Sequence, residues 1–222
     1  MQKADLDFFF RNMSIEIREK TEEKIVFDIN GIEPPLANAL RRIMIAEIPS
    51  IAIEKVNMWQ NTSIIPDENL AHRMGLVPIM VDPETLEYRK EGEELNEKNC
   101  IKFKLHVRCT KKDPNAPMVL NDTANEEKLY NHANVYASDL VWEPLGSQAK
   151  KFAKNKPRAL YGDILLAKLR PGQELEMELF CEKGLGRTHA KWSPVCTAYY
   201  RLVPDISFTE DILNQEVSLF HF

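Results

Sequence analysis

Residues 30–78, NGIEPPLANALRRIMIAEIPSIAIEKVNMWQNTSIIPDENLAHRMGLVP, read as strand, helix, strand, helix, and the rest of the chain is arranged around them. Pro34 and Pro35 suit a helix N-terminus, where a missing N–H costs nothing. Leu36, Leu40, Ile43, Met44 and Ile48 then recur at three- and four-residue spacing until Pro49 stops the run. Ala37, Ala39, Ile45 and Ala46 widen the apolar stripe beyond what one covering surface requires, so a second cover is implied, either from the helix's own domain or from another subunit. Arg41 and Arg42 project about 100 degrees apart around the helix and cannot share a partner face. One of them leaves the stripe, into solvent or to fork onto a carboxylate or carbonyl of another chain.

Upstream, Met13, Ile15 and Ile17 alternate with polar residues as a half-buried strand does. Ile25, Phe27 and Ile29 repeat the pattern, with TEEK (21–24) as the turn and Asn30-Gly31 as the close. A hairpin followed by a helix over 36–48 begins an α+β layer in which the helix covers the apolar face of the sheet. Downstream, Ile51, Ile53 and, after a break of register at Lys55, Val56 and Met58 predict a strand. Asp67 as N-cap, Leu70 and Met74 one turn apart and Gly75 at the end predict a short helix.

The remaining pattern is mostly β. In CIKFKLHVR, Ile101, Phe103, Leu105 and Val107 alternate with Lys102, Lys104, His106 and Arg108, so one face is buried and one is wet. Residues 113–128 read as a loop and 135–142 as a strand. Residues 164–169 and Leu175, Met177, Leu179 and Cys181 form a hairpin around Pro171-Gly172, and 195–203 supply a last strand.

Between those last strands, GLGRTHAKWSP offers Gly184, Gly186, a histidine and a lysine, but not the order or the following helix of a phosphate loop. Trp192 either anchors a partner or packs on its own sheet. His72 and Arg73 invite a catalytic reading, yet no nucleophile or second base stands near them in sequence.

The chain has 222 residues, with 29 Lys and Arg against 34 Asp and Glu for a net charge of −5. That balance argues against nucleic-acid binding through the global field, although local patches survive: a basic run at Lys150, Lys151, Lys154, Lys156 and Arg158, and an acidic loop from Asp82 to Glu97. No apolar run reaches membrane-span length, and MQKADLDFFFRN lacks the regions of a signal peptide, which predicts a reducing intracellular compartment and no membrane partner. Cys100, Cys109, Cys181 and Cys196 are scattered without a C-x-x-C pair or a matching histidine, so no metal and no cofactor are expected.

The block GIEPPLANALRRIMIAEIPSIAIEKV, its continuation NTSIIPDENLAHRMGLVPI, and later DILLAKLRPGQELEMELFCEKGLGRTHAKWSP and TAYYRLVPDI resemble, in the same order, the alpha-like assembly subunits of multisubunit RNA polymerases, across most of residues 10–206. The polymerase II branch typically carries a cysteine-rich zinc loop where this chain has DPETLEYRKEGEELNEKN, so the branch shared by polymerases I and III fits better. The resemblance implies an α+β dimerisation domain begun by residues 1–52, a mostly antiparallel β domain inserted over 53–204, and a short divergent tail, 205–222, in place of the family's C-terminal segment, which makes the dimerisation domain incomplete at that end.

It further implies a non-catalytic scaffold in the nucleus and nucleolus that pairs with a smaller alpha-like subunit, docks the second-largest and largest subunits, and meets nucleic acid only through the complex. The partner interface expected from the helix is Leu36, Asn38, Leu40, Arg41, Arg42, Ile43, Met44 and Glu47; the docking loop is Gly186, His189, Lys191 and Trp192. The alternatives are the zinc-binding polymerase II paralogue, or a small enzyme using His72 or His189 with a cysteine.

Overall fold

Alternation decides the centre of the fold. In a computed structural model describing residues 11–113, 129–204 and 207, Cys100–Arg108 is a strand whose Ile101, Phe103, Leu105 and Val107 are buried. It runs antiparallel to Glu174–Leu185, with Phe103 opposite Leu179 and Leu105 opposite Met177. On the outer face the same register sets Lys102 2.6 Å from Glu178, Lys104 3.2 Å from Glu176 and His106 2.8 Å from Glu174. Such partly exposed pairs contribute little each but exclude like-charge opposition.

In chain order the elements are β1 (Ser14–Lys20), β2 (Ile25–Asn30), α1 (Pro34–Ala46), β3 (Pro49–Asn61), α2 (Asp67–Gly75), β4 (Ile79–Met80), β5 (Cys100–Arg108), β6 (Thr110–Lys111), β7 (Tyr130–Asn131), β8 (Asn134–Tyr136), β9 (Val141–Glu143), α3 (Gln148–Lys151), β10 (Arg158–Ala159), β11 (Leu165–Lys168) and β12 (Glu174–Leu185). The chain divides into two compact units: one takes the N-terminal stretch as far as Arg41 together with the stretch from Thr197, and the other is Arg42–Cys196.

The larger unit is built on an antiparallel sheet in the order β3, β12, β5, β9, with the short pairs β4/β10, β8/β11 and β6/β7 around it. Leu70 and Met74 of α2 join Ile53, Phe103, Leu166, Leu169, Met177 and Leu179 in one core. β3 carries two bulges, because Cys181 pairs with Ile53 and Phe180 with Lys55, leaving Glu54 extra, and Met177 pairs with Met58 and Glu176 with Gln60, leaving Trp59 extra. The first is the break of register visible at Lys55 in the sequence.

In the smaller unit β1 and β2 form the predicted hairpin, Ser14 opposite Asn30 and Ile17 opposite Phe27. Thr21 closes the turn by donating its N–H to Lys24 O at 2.8 Å. Gly31 has φ +77, and a Cβ there would sit 2.3 Å from Asn12 O, so the residue has to be glycine.

Several expectations are corrected. The hairpin is not half-buried: Ile15 is 57% exposed and Ile17 and Ile25 nearly as much, so nothing among the described residues covers them. The helix occupies Pro34–Ala46 rather than 36–48, and none of its residues is buried. Pro66, not Asp67, is the N-cap of α2, and Asp67 instead accepts from Asn61 Nδ2 at 2.7 Å. Gly75 does end α2, as its place in the sequence predicts.

Residues 135–142 are not one strand but β8, a 3-10 turn over Ala137–Asp139 and β9. Pro171-Gly172 joins two different sheets instead of closing a hairpin, since β11 pairs with β8 while β12 pairs with β3 and β5. No strand forms over 195–203. Most of the loop expected at 113–128, and most of the tail from 205, lie outside the described residues.

Candidate partner interface

Residues 36, 40 and 43 stand four and three apart, the spacing that puts side chains on one helical face. Leu36 is 49% exposed, Leu40 is exposed as well and Ile43 is 44% exposed, an apolar stripe open to water. Beside it Met44 is partly covered, and Arg42 and Glu47 are exposed. Arg41 spends its fork within the helix, donating from Nε and Nη2 to Asn38 Oδ1 at 3.1 and 2.9 Å, so Asn38 and Arg41 act as a pair.

The predicted docking loop follows β12. Gly184 lies in the strand where a Cβ would be 2.4 Å from the Trp192 ring, and Trp192, 6% exposed, donates its indole N–H to Glu182 O at 3.0 Å. Ser50 Oγ donates to Trp192 O at 2.6 Å. The tryptophan therefore packs on its own sheet, the second of the two readings its sequence left open. Ser50 and Glu182, which hold it, carried no sequence signal, because their bonds run between residues far apart in the chain.

Gly186 has the next tight position: a Cβ would sit 2.1 Å from Ile45 O, and Arg187 N–H donates to Ala46 O at 3.0 Å, satisfying a carbonyl at the C-terminal end of α1. Lys191 Nζ is bound by Ile53 O at 3.0 Å and by the Glu54 carboxylate, and lies 4.5 Å over the Trp192 ring. His189 remains at the surface, its Nδ1 accepting from Lys191 N–H at 3.0 Å.

His72, His189, Thr188 and Lys191 share the wall of a cleft of about 460 Å³ with Val56, Ala71 and Leu76. No cysteine lines it. Cys100, Cys109 and Cys181 are buried, and burial pushes the Cys100 thiol up to about 12 and that of Cys181 well above the ordinary range. A thiolate nucleophile has no place there. Among the described residues no group of three or more His, Cys, Asp or Glu is arranged to hold a metal, and no helix is long and apolar enough to cross a membrane. The acidic loop is pinned by Arg89 on buried Glu182 at 2.7 Å and by Lys183, which donates to Leu86 O at 3.1 Å and lies 4.9 Å over Tyr88. Arg73, once a catalytic candidate, donates to the carbonyls of Leu165 and Leu166 at 2.7 and 3.1 Å and is structural.

Residues 53–199 match the model of the RNA polymerase Rpb3/RpoA insert domain. The chain is 45% identical over 209 residues to the human DNA-directed RNA polymerases I and III subunit RPAC1, covering 94% of this chain and 59% of the human one. It is 43% identical over 224 residues to its Saccharomyces cerevisiae namesake, covering 99% and 64%. With the archaeal RNA polymerase subunit Rpo3 of Methanothermobacter thermautotrophicus it shares 38% over 200 residues, 90% and 65% of the two chains. It thus spans roughly three fifths of the length of these curated relatives. With the insert-domain match covering well over half of its residues, this α+β chain belongs to the RNA polymerase Rpb3/RpoA insert domain family.

Proposed function

We propose that this chain is a non-catalytic assembly subunit of RNA polymerases I and III, acting in the nucleus, nucleolus included. It pairs with the smaller alpha-like subunit through the α1 face, and the pair offers a platform to the second-largest and largest subunits. In this reading residues 1–52 contribute to dimerisation and 53–204 are the insert. The observation that carries it is the stripe Leu36, Leu40, Ile43, left open on a helix with no buried residue. Covering apolar surface stabilises by about 2.5 kcal/mol per 100 Å² removed from water, so this open stripe is a surface that gains from a partner. The likeness to polymerase I and III subunits in human and yeast supports the choice of complex.

Ile43→Asp tests it. The side chain is already 44% exposed, so the chain alone tolerates the charge, whereas in the paired state the carboxylate would be buried without a counter-ion. Co-expression with the tagged smaller alpha-like subunit should capture the parent chain and lose the variant. Undiminished capture of the variant would overturn the reading.

A further inference from the structure

Between Gln148 and Leu160 the chain carries Lys150, Lys151, Lys154, Lys156 and Arg158 and no carboxylate, leaving 24 cations against 34 anions in the rest of the molecule. The segment is held from beneath. Gln148 is buried and donates from Nε2 to Glu97 O at 2.8 Å and Cys100 O at 2.7 Å. Phe152, Pro157 and Ala159 are buried, and β10 pairs with β4. Lys151 is occupied, donating to Thr85 O at 2.5 Å and lying 5.8 Å over Phe152. The other four cations are exposed, and among the described residues none makes an ion pair. On β5, by contrast, Lys102 and Lys104 face glutamates on neighbouring strands. A pinned frame that gathers four uncompensated cations sustains their mutual repulsion, which an external anion relieves.

We propose that this basic segment, residues 150–158, binds the phosphate backbone of nucleic acid without regard to sequence, a property independent of the assembly role. Lys156 and Arg158 are both exposed and flank buried Pro157 where the chain enters β10. Positions two apart in the chain lie at most about 7 Å apart, within reach of two of the 3.4 Å axial intervals between phosphates on one strand. Point charges at that spacing suffice for phosphate contacts.

The test is fluorescence anisotropy of the full 222-residue chain with a labelled twenty-nucleotide oligo(dT), from 50 to 200 mM salt. Four phosphate contacts on a single strand predict a log–log salt slope of about −3 and about 50-fold weaker binding across that range. Replacing Lys150, Lys154, Lys156 and Arg158 by alanine should weaken binding at least tenfold and flatten the slope. Replacing the exposed Lys20, Lys55, Lys90 and Lys98 removes the same charge and should weaken it no more than two- to threefold. Absence of binding by the parent, equal losses in the two variants, or tighter binding of polyglutamate than of oligo(dT) would each overturn the proposal.

Discussion

The β5–β12 pair and the β1–β2 hairpin are written with the same alternation of apolar and charged residues and end in opposite surroundings. Phe103, Leu105, Met177 and Leu179 have no measurable exposure, whereas Ile15, Ile17 and Ile25 are each more than half exposed. Both have cross-strand ion pairs, Lys102 with Glu178 in one and Arg18 with Asp28 at 2.7 Å in the other. What separates them is a second layer. The sheet is covered by α2, β8, β11 and the segments joining them, which bring Leu70, Met74, Val135, Leu166 and Leu169. The hairpin has no such layer among the described residues. Period-2 alternation specifies which face wants cover, and the supplier of that cover is encoded elsewhere, in this reading on another chain.

That contrast sets the size of substitution effects. Phe103→Ala should cost about 3–5 kcal/mol in chemical denaturation of the isolated chain, since a large fully buried ring leaves a cavity that strands on both sides hold open. A loss below about 1 kcal/mol would mean that the sheet is looser than its burial implies. Gly184→Ala should cost about 1–3 kcal/mol, because the new methyl meets the Trp192 ring, which is hydrogen-bonded at both its indole and its carbonyl and has little room to retreat. Unchanged stability would show that the tryptophan moves freely.

The thiols sharpen the comparison at intermediate size. Cys196 is exposed and should react with a thiol reagent in the native chain, while Cys100, Cys109 and Cys181 should react only on unfolding. As pH rises past about 9 the unfolded Cys100 thiol loses its proton, while the folded one, held near 12 by burial, keeps it. The folded chain then binds more protons, so stability falls progressively across that window. Stability that is flat from pH 9 to 11 would contradict the burial. At the small end, Ile15→Ala in the isolated chain should stay within about 0.5 kcal/mol, as for other surface changes.

Much of this was legible in the residues. The α1 spacing, the β5 alternation, the break at Lys55 and the turn at residues 21–24 rest on local chemistry, and each element formed within a few residues of its predicted place. What failed was pairing. The Pro171-Gly172 turn carries a hairpin signature, yet the strands it joins find partners far away in sequence, and the alternation over 195–203 pairs with no strand among the described residues. For the site, the open α1 stripe followed from its surplus of apolar residues. The commitment of Trp192 to its own sheet did not, because it depends on Gly184, Ser50 and Glu182 meeting in space.

The most direct test is amide hydrogen exchange on this chain, alone and in complex with the smaller alpha-like subunit. β1, β2 and α1 should exchange quickly in the isolated chain and gain protection on pairing, while β5 and β12 should be slow in both states. Equal protection of α1 and β12 in the isolated chain, or a complex in which α1 gains nothing, would contradict this.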